Sequence, residues 1–458
     1  MSTSPLFRGF TAPLTRRALA AALAMLPLTS ATAKKQHKAK RKKRVQPEHN
    51  VHGHKATMCV NGVTKHVAKH ARQKYLKHGA TRGACAGPGP GPDPTCTPDS
   101  AATTCAAAGI CGDVTNNCGD PVTCGCPGSQ LCCGSACAAA LTWANQTTFG
   151  DSDFNVPTSV ALAPDTLTAW IADAGNNRIS IWSRPTATST AWSNQTTFGS
   201  SGSGASNLSS PSGVAISKDT LTAFIADTGN TRVSVWRRPD TASTTWSNAA
   251  TFGSSGAGAS QFSNPQRVAV SPDTLTVWIA DSGNSRMSVW TRPDTASTTW
   301  ANQTTFGTNG AGASQFRAPY GVTISADTLT TVVADTYNYR ISLWTRPDTA
   351  STAWSNLTTF GTNGTGASQF KAPFGAAISE DTLTIVVADT NNYRGSIWTR
   401  PDTASTAWSN LTTFSSSGSG PNELAYPNGL AITPDALTVW IADTSNNRIS
   451  IWAAICPA

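Results

Sequence analysis

Residues 211–236 read PSGVAISKDTLTAFIADTGNTRVSVW. Three short apolar runs stand in this stretch: GVAIS at 213–217, LTAFIA at 221–226 and RVSVW at 232–236, the last strictly alternating. Between the second and third lies Asp227-Thr228-Gly229-Asn230-Thr231. This reads as a tight turn in which Asp and Asn bond locally and Gly supplies a positive φ. A fourth run, ATFG at 250–253, completes four antiparallel strands.

Moving outward, the same marks recur. The Asp returns at 173, 227, 281, 335, 389 and 443, always 54 residues apart. An Arg follows five residues later each time, a Trp four residues after that, and a Pro opens every unit. Six four-stranded units predict an all-β, six-bladed β-propeller over residues 141–458. A linear solenoid is the alternative, and the two ends decide against it. Trp143-Ala144-Asn145-Gln146-Thr147-Thr148-Phe149-Gly150 is a spare fourth strand matching 192–199, and the sixth unit stops after its third strand at Trp452. A ring closes by lending its first strand to its last blade, whereas a solenoid needs polar caps.

The pattern Pro-x-Gly-Val-Ala, then Ala-Asp-Thr-x-Asn-x-Arg-Ile-Ser-x-Trp, resembles the NHL repeat over about 141–452. The resemblance implies a structural role for six near-identical turn pairs: Asp173 with Arg178, Asp227 with Arg232, Asp281 with Arg286, Asp335 with Arg340, Asp389 with Arg394 and Asp443 with Arg448. Propellers related to this family include metal-dependent lyases and lactonases, which hold their ion in the central channel. The innermost segments here are VPTSVALA, SPSGVAIS, NPQRVAVS, APYGVTIS, APFGAAIS and YPNGLAIT, with no His, Asp or Glu. Calcium sites want several oxygen ligands, zinc sites want His or Cys, and hydrolysis wants a general base. The expectation is therefore a non-catalytic protein with no catalytic or metal residues and no cofactor. A metal-dependent hydrolase or lyase on the propeller is the alternative.

Binding is then read from variation between blades. The loop before the first strand and the turn after the second share one rim. There blades four and five carry Arg317, Tyr320, Tyr337, Tyr339, Lys371, Phe374 and Tyr393, and blade three adds Arg267. Aromatic rings with a few cations suit an extracellular protein or glycan. Residues 141–458 hold 16 basic and 20 acidic groups, so no nucleic-acid partner is expected. A structural envelope protein without a specific small ligand is the second reading.

The remainder has another chemistry. Residues 1–85 hold 18 of the 34 Lys and Arg, a single acid and all seven His. Arg16-Arg17, the apolar run Ala18–Leu28 and Ala31-Thr32-Ala33 predict an export signal over 1–33, twin-arginine or general secretory, in a bacterial chain that is secreted or held at the envelope. Past residue 30 no apolar run approaches the roughly 20 residues of a membrane helix, so no transmembrane span is expected in the mature chain. Residues 34–56 read as a basic linker, whose Lys34–Arg44 tract seeks an anionic envelope polymer.

Residues 57–85 resemble a short Cys- and His-containing module of secreted bacterial proteins through Cys59, Leu76, His78, Gly79, Gly83 and Cys85. Val60, Tyr75 and Ala80 depart from that pattern. The module implies a Cys59–Cys85 staple around a short helix, or a zinc site using His66, His70 or His78. A Gly/Pro linker, 86–95, leads to 96–137, whose nine cysteines in a CG…CG…CG pattern resemble a Cys/Gly-rich bacterial surface module with disulfides as its core. If Cys59 pairs with Cys85, nine is odd and Cys456 is the tenth. Cys456 follows Trp452 by four residues and Cys137 precedes Trp143 by six, on strands that are antiparallel neighbours in the closed ring. A Cys137–Cys456 disulfide is expected, with Cys133 or Cys132 as substitutes and a free Cys456 or an intermolecular bridge as the alternatives.

Overall fold

A computed structural model describes residues 141–455 throughout, together with backbone strands at Lys55–Val60, Val63–Ala68, Thr81–Arg82, Gly112–Thr115, Pro121–Cys124, Leu131–Cys133 and Ala136–Ala138. The export signal, the basic tract, Cys85 and Cys456 lie outside these residues, and with them both expected disulfides. The chain divides into two units, 1–89 and 90–458. In the first, Lys55–Val60 pairs antiparallel with Val63–Ala68 and with Thr81–Arg82. The resemblance of 57–85 implies a short helix between Cys59 and Cys85. The Val63–Ala68 part of that stretch is instead a strand, with Cys59 opposite Thr64. In the second unit Gly112–Thr115 pairs with Pro121–Cys124, and Leu131–Cys133 with Ala136–Ala138, placing Cys132 opposite Cys137.

Residues 141–455 form six four-stranded antiparallel sheets arranged as the blades of a closed propeller. In blade two the strands run Pro211–Ile216, Thr222–Asp227, Arg232–Arg237 and Ser247–Phe252, from the channel outward. The innermost strand pairs on one side only, so its free edge faces the channel. Blade six takes its outermost strand, Thr142–Phe149, from the other end of the propeller. Its register against Arg448–Ile455 includes a bulge between Ile451 and Trp452, matching the bulge between Val235 and Trp236 in blade two. The borrowed strand therefore substitutes for a native one residue by residue, and ring closure covers the outer edge of Arg448–Ile455.

The core is six apolar clusters, one between each pair of neighbouring blades. An aromatic sandwich recurs in each. The Phe ending one blade's outer strand is flanked by two Trp of the next: Phe198 lies 5.1 Å from Trp246, nearly parallel, and 4.9 Å from Trp236. The closure obeys the same rule. Trp143 stacks on Phe414 of blade five at 5.3 Å and 16°, and Phe149 stacks on Trp192 of blade one at 4.8 Å and 15°. Such pairs contribute about 0.5–1.5 kcal/mol each beyond simple burial.

The turn after the second strand differs from its sequence reading in one respect. Gly229 does not carry the positive φ; Thr231 does, at 50°. Gly229 is needed for space, because a Cβ there would stand 2.8 Å from the Ser209 carbonyl oxygen.

Candidate functional site

The register pairs Pro211 with Asp227, so the loop entering each blade and the turn after its second strand share one rim, here termed the turn face. Each turn Asp is completely buried. Asp227 Oδ1 accepts the Ser209 backbone N–H at 2.7 Å, while Oδ2 accepts Asn230 Nδ2 at 2.8 Å and Arg232 Nε at 2.7 Å. The rest of the Arg232 guanidinium donates to the carbonyls of Ser203, Gly204 and Asn207. The pair thus pins the incoming loop to the turn. Burial raises the carboxyls of Asp281, Asp335, Asp389 and Asp443 above the usual range, against the opposing pull of their hydrogen bonds and arginines.

All six pairs meet at 2.7–2.8 Å, but the structure corrects the sequence reading of six near-identical copies. Arg340 follows the blade-two pattern: its Nε reaches Asp335 at 2.8 Å, and its amino groups reach the carbonyls of Ala311, Gly312 and Gln315. Arg394 does the same with Asp389 at 2.8 Å and the carbonyls of Thr365, Gly366 and Gln369. Arg178 does not. It holds Asp173 at 2.7 Å but donates to one loop carbonyl only, that of Asp153. Its side chain is 30% exposed, against 8–14% for the other five. The physical reason is loop length, since 150–156 holds seven residues where 199–210 holds twelve. Nor do the pairs gather at one place. Arg178, Arg340 and Arg394 stand on blades one, four and five, each beside its own acid, and form no common site.

Two rings of positions encircle the channel at this face. The residues after the opening prolines are Thr158, Ser212, Gln266, Tyr320, Phe374 and Asn428. The next ring is Gly213, Gly321, Gly375 and Gly429, with Ser159 and Arg267 in blades one and three. Glycine is required there by crowding. A Cβ on Gly321 would stand 2.7 Å from the Phe374 carbonyl oxygen, and one on Gly429 2.7 Å from that of Thr158. The sequence placed Arg267 among the rim cations. The structure corrects this: Arg267 is buried inside the channel, 6% exposed. Its Nη1 donates to the carbonyls of Ser212 and Gln266, and its Nη2 to the Thr158 carbonyl and, at 2.6 Å, to Asn428 Oδ1. Blades three and six face each other across a ring of six, so this one side chain spans the diameter. Its passage depends on the glycine ring: the Cβ position of Gly213 lies 3.3 Å from Arg267 Cδ and that of Gly429 3.0 Å from Nη2. Burial pulls the guanidinium pKa down to about 10, which leaves it charged at neutral pH.

Behind Arg267 the channel holds a cavity of about 300 Å³ between the inner strands. Beyond Leu162, Ile216, Val270, Ile324, Ile378 and Ile432 it opens on the opposite, hairpin face through a mouth of about 330 Å³.

The aromatic residues singled out by sequence fall into separate groups. Tyr320 and Phe374 stack at the channel mouth, centroids 4.4 Å apart and 11° from parallel. Burial raises the Tyr320 hydroxyl pKa, Tyr337 adds to the rise and Arg267 opposes it. Tyr337 is 46% exposed, and its backbone N–H bonds to the Arg317 carbonyl at 3.1 Å. Arg317 and Lys371 are exposed, and their backbone N–H groups bond to Asp335 and Asp389 at 2.7 Å. Tyr393 meets a residue the sequence reading missed. Tyr426, 47% exposed in the loop entering blade six, packs edge-on against it at 5.2 Å. Their 33-residue separation was the available signal, because Asn177 Oδ1 accepts the Ser210 N–H at 2.8 Å across the same separation between blades one and two.

Tyr339 and Tyr393 both sit in the left-handed region at φ 57°. Bulky residues rarely adopt it, whereas Asn tolerates it well. Asn occupies the equivalent places in blades one and six, where Asn177 and Asn447 each hold the next blade's N–H at 2.8 Å.

Among the described residues no three His, Cys, Asp or Glu side chains gather as a metal site would require. The closed ring and its six equivalent blades define a six-bladed β-propeller. It bears the NHL-repeat motif, and the NHL repeat family matches residues 262–290 and 424–452. A solved protein of Desulfotomaculum acetoxidans DSM 771, described as functionally unknown, is similar at TM-score 0.45 and 14% identity, over 65% of this chain and 82% of that one. No curated protein matches the chain.

Proposed function

We propose that this is an exported, non-catalytic recognition protein whose propeller takes an extracellular protein or glycan on the turn face of blades four and five. One observation carries the reading: Tyr339 and Tyr393 occupy left-handed backbone positions where Asn, in blades one and six, is both conformationally easier and used to tie neighbouring blades. Aromatic side chains kept at a conformational cost on an accessible rim are characteristic of binding surfaces. Tyr320, Tyr337, Phe374, Arg317 and Lys371 extend that surface, and Tyr426 joins it from blade six. The basic tract 34–44 would retain the protein at an anionic envelope polymer in a salt-sensitive way.

The test is a glycan array together with an envelope-protein pull-down, run on native mature protein and on a variant with Tyr320, Tyr339 and Phe374 all changed to Ala. Hits lost in the variant support the site, and hits unchanged in it remove the site.

A further inference from the structure

We propose that the central channel is a blind well that admits a small monocarboxylate from the hairpin face and holds it beneath the Arg267 guanidinium. The well is closed on the turn face because Arg267 crosses the channel from blade three to Asn428 of blade six. A ligand reaching the cavity of about 300 Å³ must therefore come past the aliphatic residues Leu162, Ile216, Val270, Ile324, Ile378 and Ile432.

Charge selects the ligand. The acceptors around Arg267 are three carbonyl oxygens and one amide oxygen, and no carboxylate among the described residues bonds to it. Its Nε is buried and has no partner among the described residues. A buried cation without a counter-ion is an expensive arrangement that a bound anion relieves. The surrounding wall offers backbone N–H groups interspersed with carbonyls, since all six inner strands present their unpaired edges to the channel. One guanidinium balances one negative charge, so a monoanion fits better than a dianion. The aliphatic ring at the cavity's far end suits a short hydrocarbon tail. At the mouth stand Lys218 and Glu380, one of each sign. The hairpin carboxylates, such as Asp219 and Asp327, are exposed and screened over about 8 Å at physiological salt, whereas the buried charge is not. This site lies on the far side of Arg267 from the aromatic rim and does not depend on what the rim binds.

The experiment is ligand-observed NMR titration of the mature protein with sodium butyrate, and with butyramide as the uncharged isostere. Saturable butyrate binding is expected, with butyramide at least tenfold weaker. Arg267→Gln should weaken butyrate at least tenfold, and so should Ala326→Trp, which obstructs the mouth from an exposed position. Should Arg267→Gln fail to fold by near-ultraviolet circular dichroism, the butyramide comparison and Ala326→Trp decide. Absence of saturable binding, equal binding of butyramide, or undiminished binding in a folded Arg267→Gln or Ala326→Trp protein would overturn the proposal.

Discussion

Arg267 of blade three donates to Asn428 of blade six at 2.6 Å, tying together two blades that face each other across the ring. The main contacts between blades are otherwise those of neighbours. The same guanidinium also bonds to Thr158 of blade one and Ser212 of blade two. It thus links four blades, on both sides of the junction where the two ends of the propeller meet.

The turn pairs should dominate local stability. Arg286→Ala removes the 2.8 Å bond to Asp281 and the bonds to the carbonyls of Ala257, Gly258 and Gln261, leaving a buried carboxylate without its cation and held by the Ser263 N–H and the Asn284 amide alone. Breaking a buried pair from one side costs about 3–5 kcal/mol. Urea unfolding of the single variant should show a loss of that size, and a loss below about 1 kcal/mol would mark the pair as dispensable. Arg178→Ala, which gives up one loop carbonyl instead of three, should cost less than Arg286→Ala in the same assay.

The Asp281 pair gives an unusual pH dependence. Burial raises the folded-state pKa of Asp281 above its unfolded value. Between the two values the folded chain binds more protons than the unfolded one, so the stability this group contributes is present below the unfolded pKa and is lost as pH rises through the folded pKa. Asp281→Asn, which does not titrate, should therefore cost more stability at pH 4 than at pH 7. Denaturant midpoints of both proteins at the two pH values check the sign, and a larger cost at pH 7 contradicts it.

The propeller itself was readable because a blade is a local pattern. The 54-residue spacing and the duplicate strand at 143–150 are properties of the string alone. Arg267 was legible only as a cation near a mouth. That it crosses the channel depends on how closely six strands approach, which is set by Gly213, Gly321, Gly375 and Gly429 acting together. Tyr426 is not legible from a blade-by-blade comparison, because the rim pairs the turn of one blade with the loop of the next. Arg178 looked like its five counterparts because the spacing to Asp173 is the same, and only the short loop before Pro157 marked it out. Turn chemistry points to Gly229 for the positive φ, but Thr231 takes it, and crowding against Ser209 sets the Gly position.

Closure by the borrowed strand can be tested directly. A chain beginning at Asp151 lacks Trp143 and Phe149 and leaves Arg448–Ile455 with an open edge. Exposed edges recruit other strands. Light scattering should show association and thermal unfolding a lowered Tm, both reversed by adding a synthetic peptide of residues 141–150. A monomer with unchanged Tm would contradict the account.

On the proposed function, the aromatic rim of blades four and five serves recognition rather than stability. Replacing Tyr339 and Tyr393 together by Asn separates the two. The new residues suit the left-handed backbone, and each introduced amide can take up the inter-blade bond that Asn177 makes to Ser210, a gain of about 1 kcal/mol per bond. The measurement is calorimetric affinity for the ligand recovered on the array, with Tm recorded on the same samples. The predicted result is binding at least tenfold weaker with Tm unchanged or higher. Affinity equal to that of the native protein would contradict the claim.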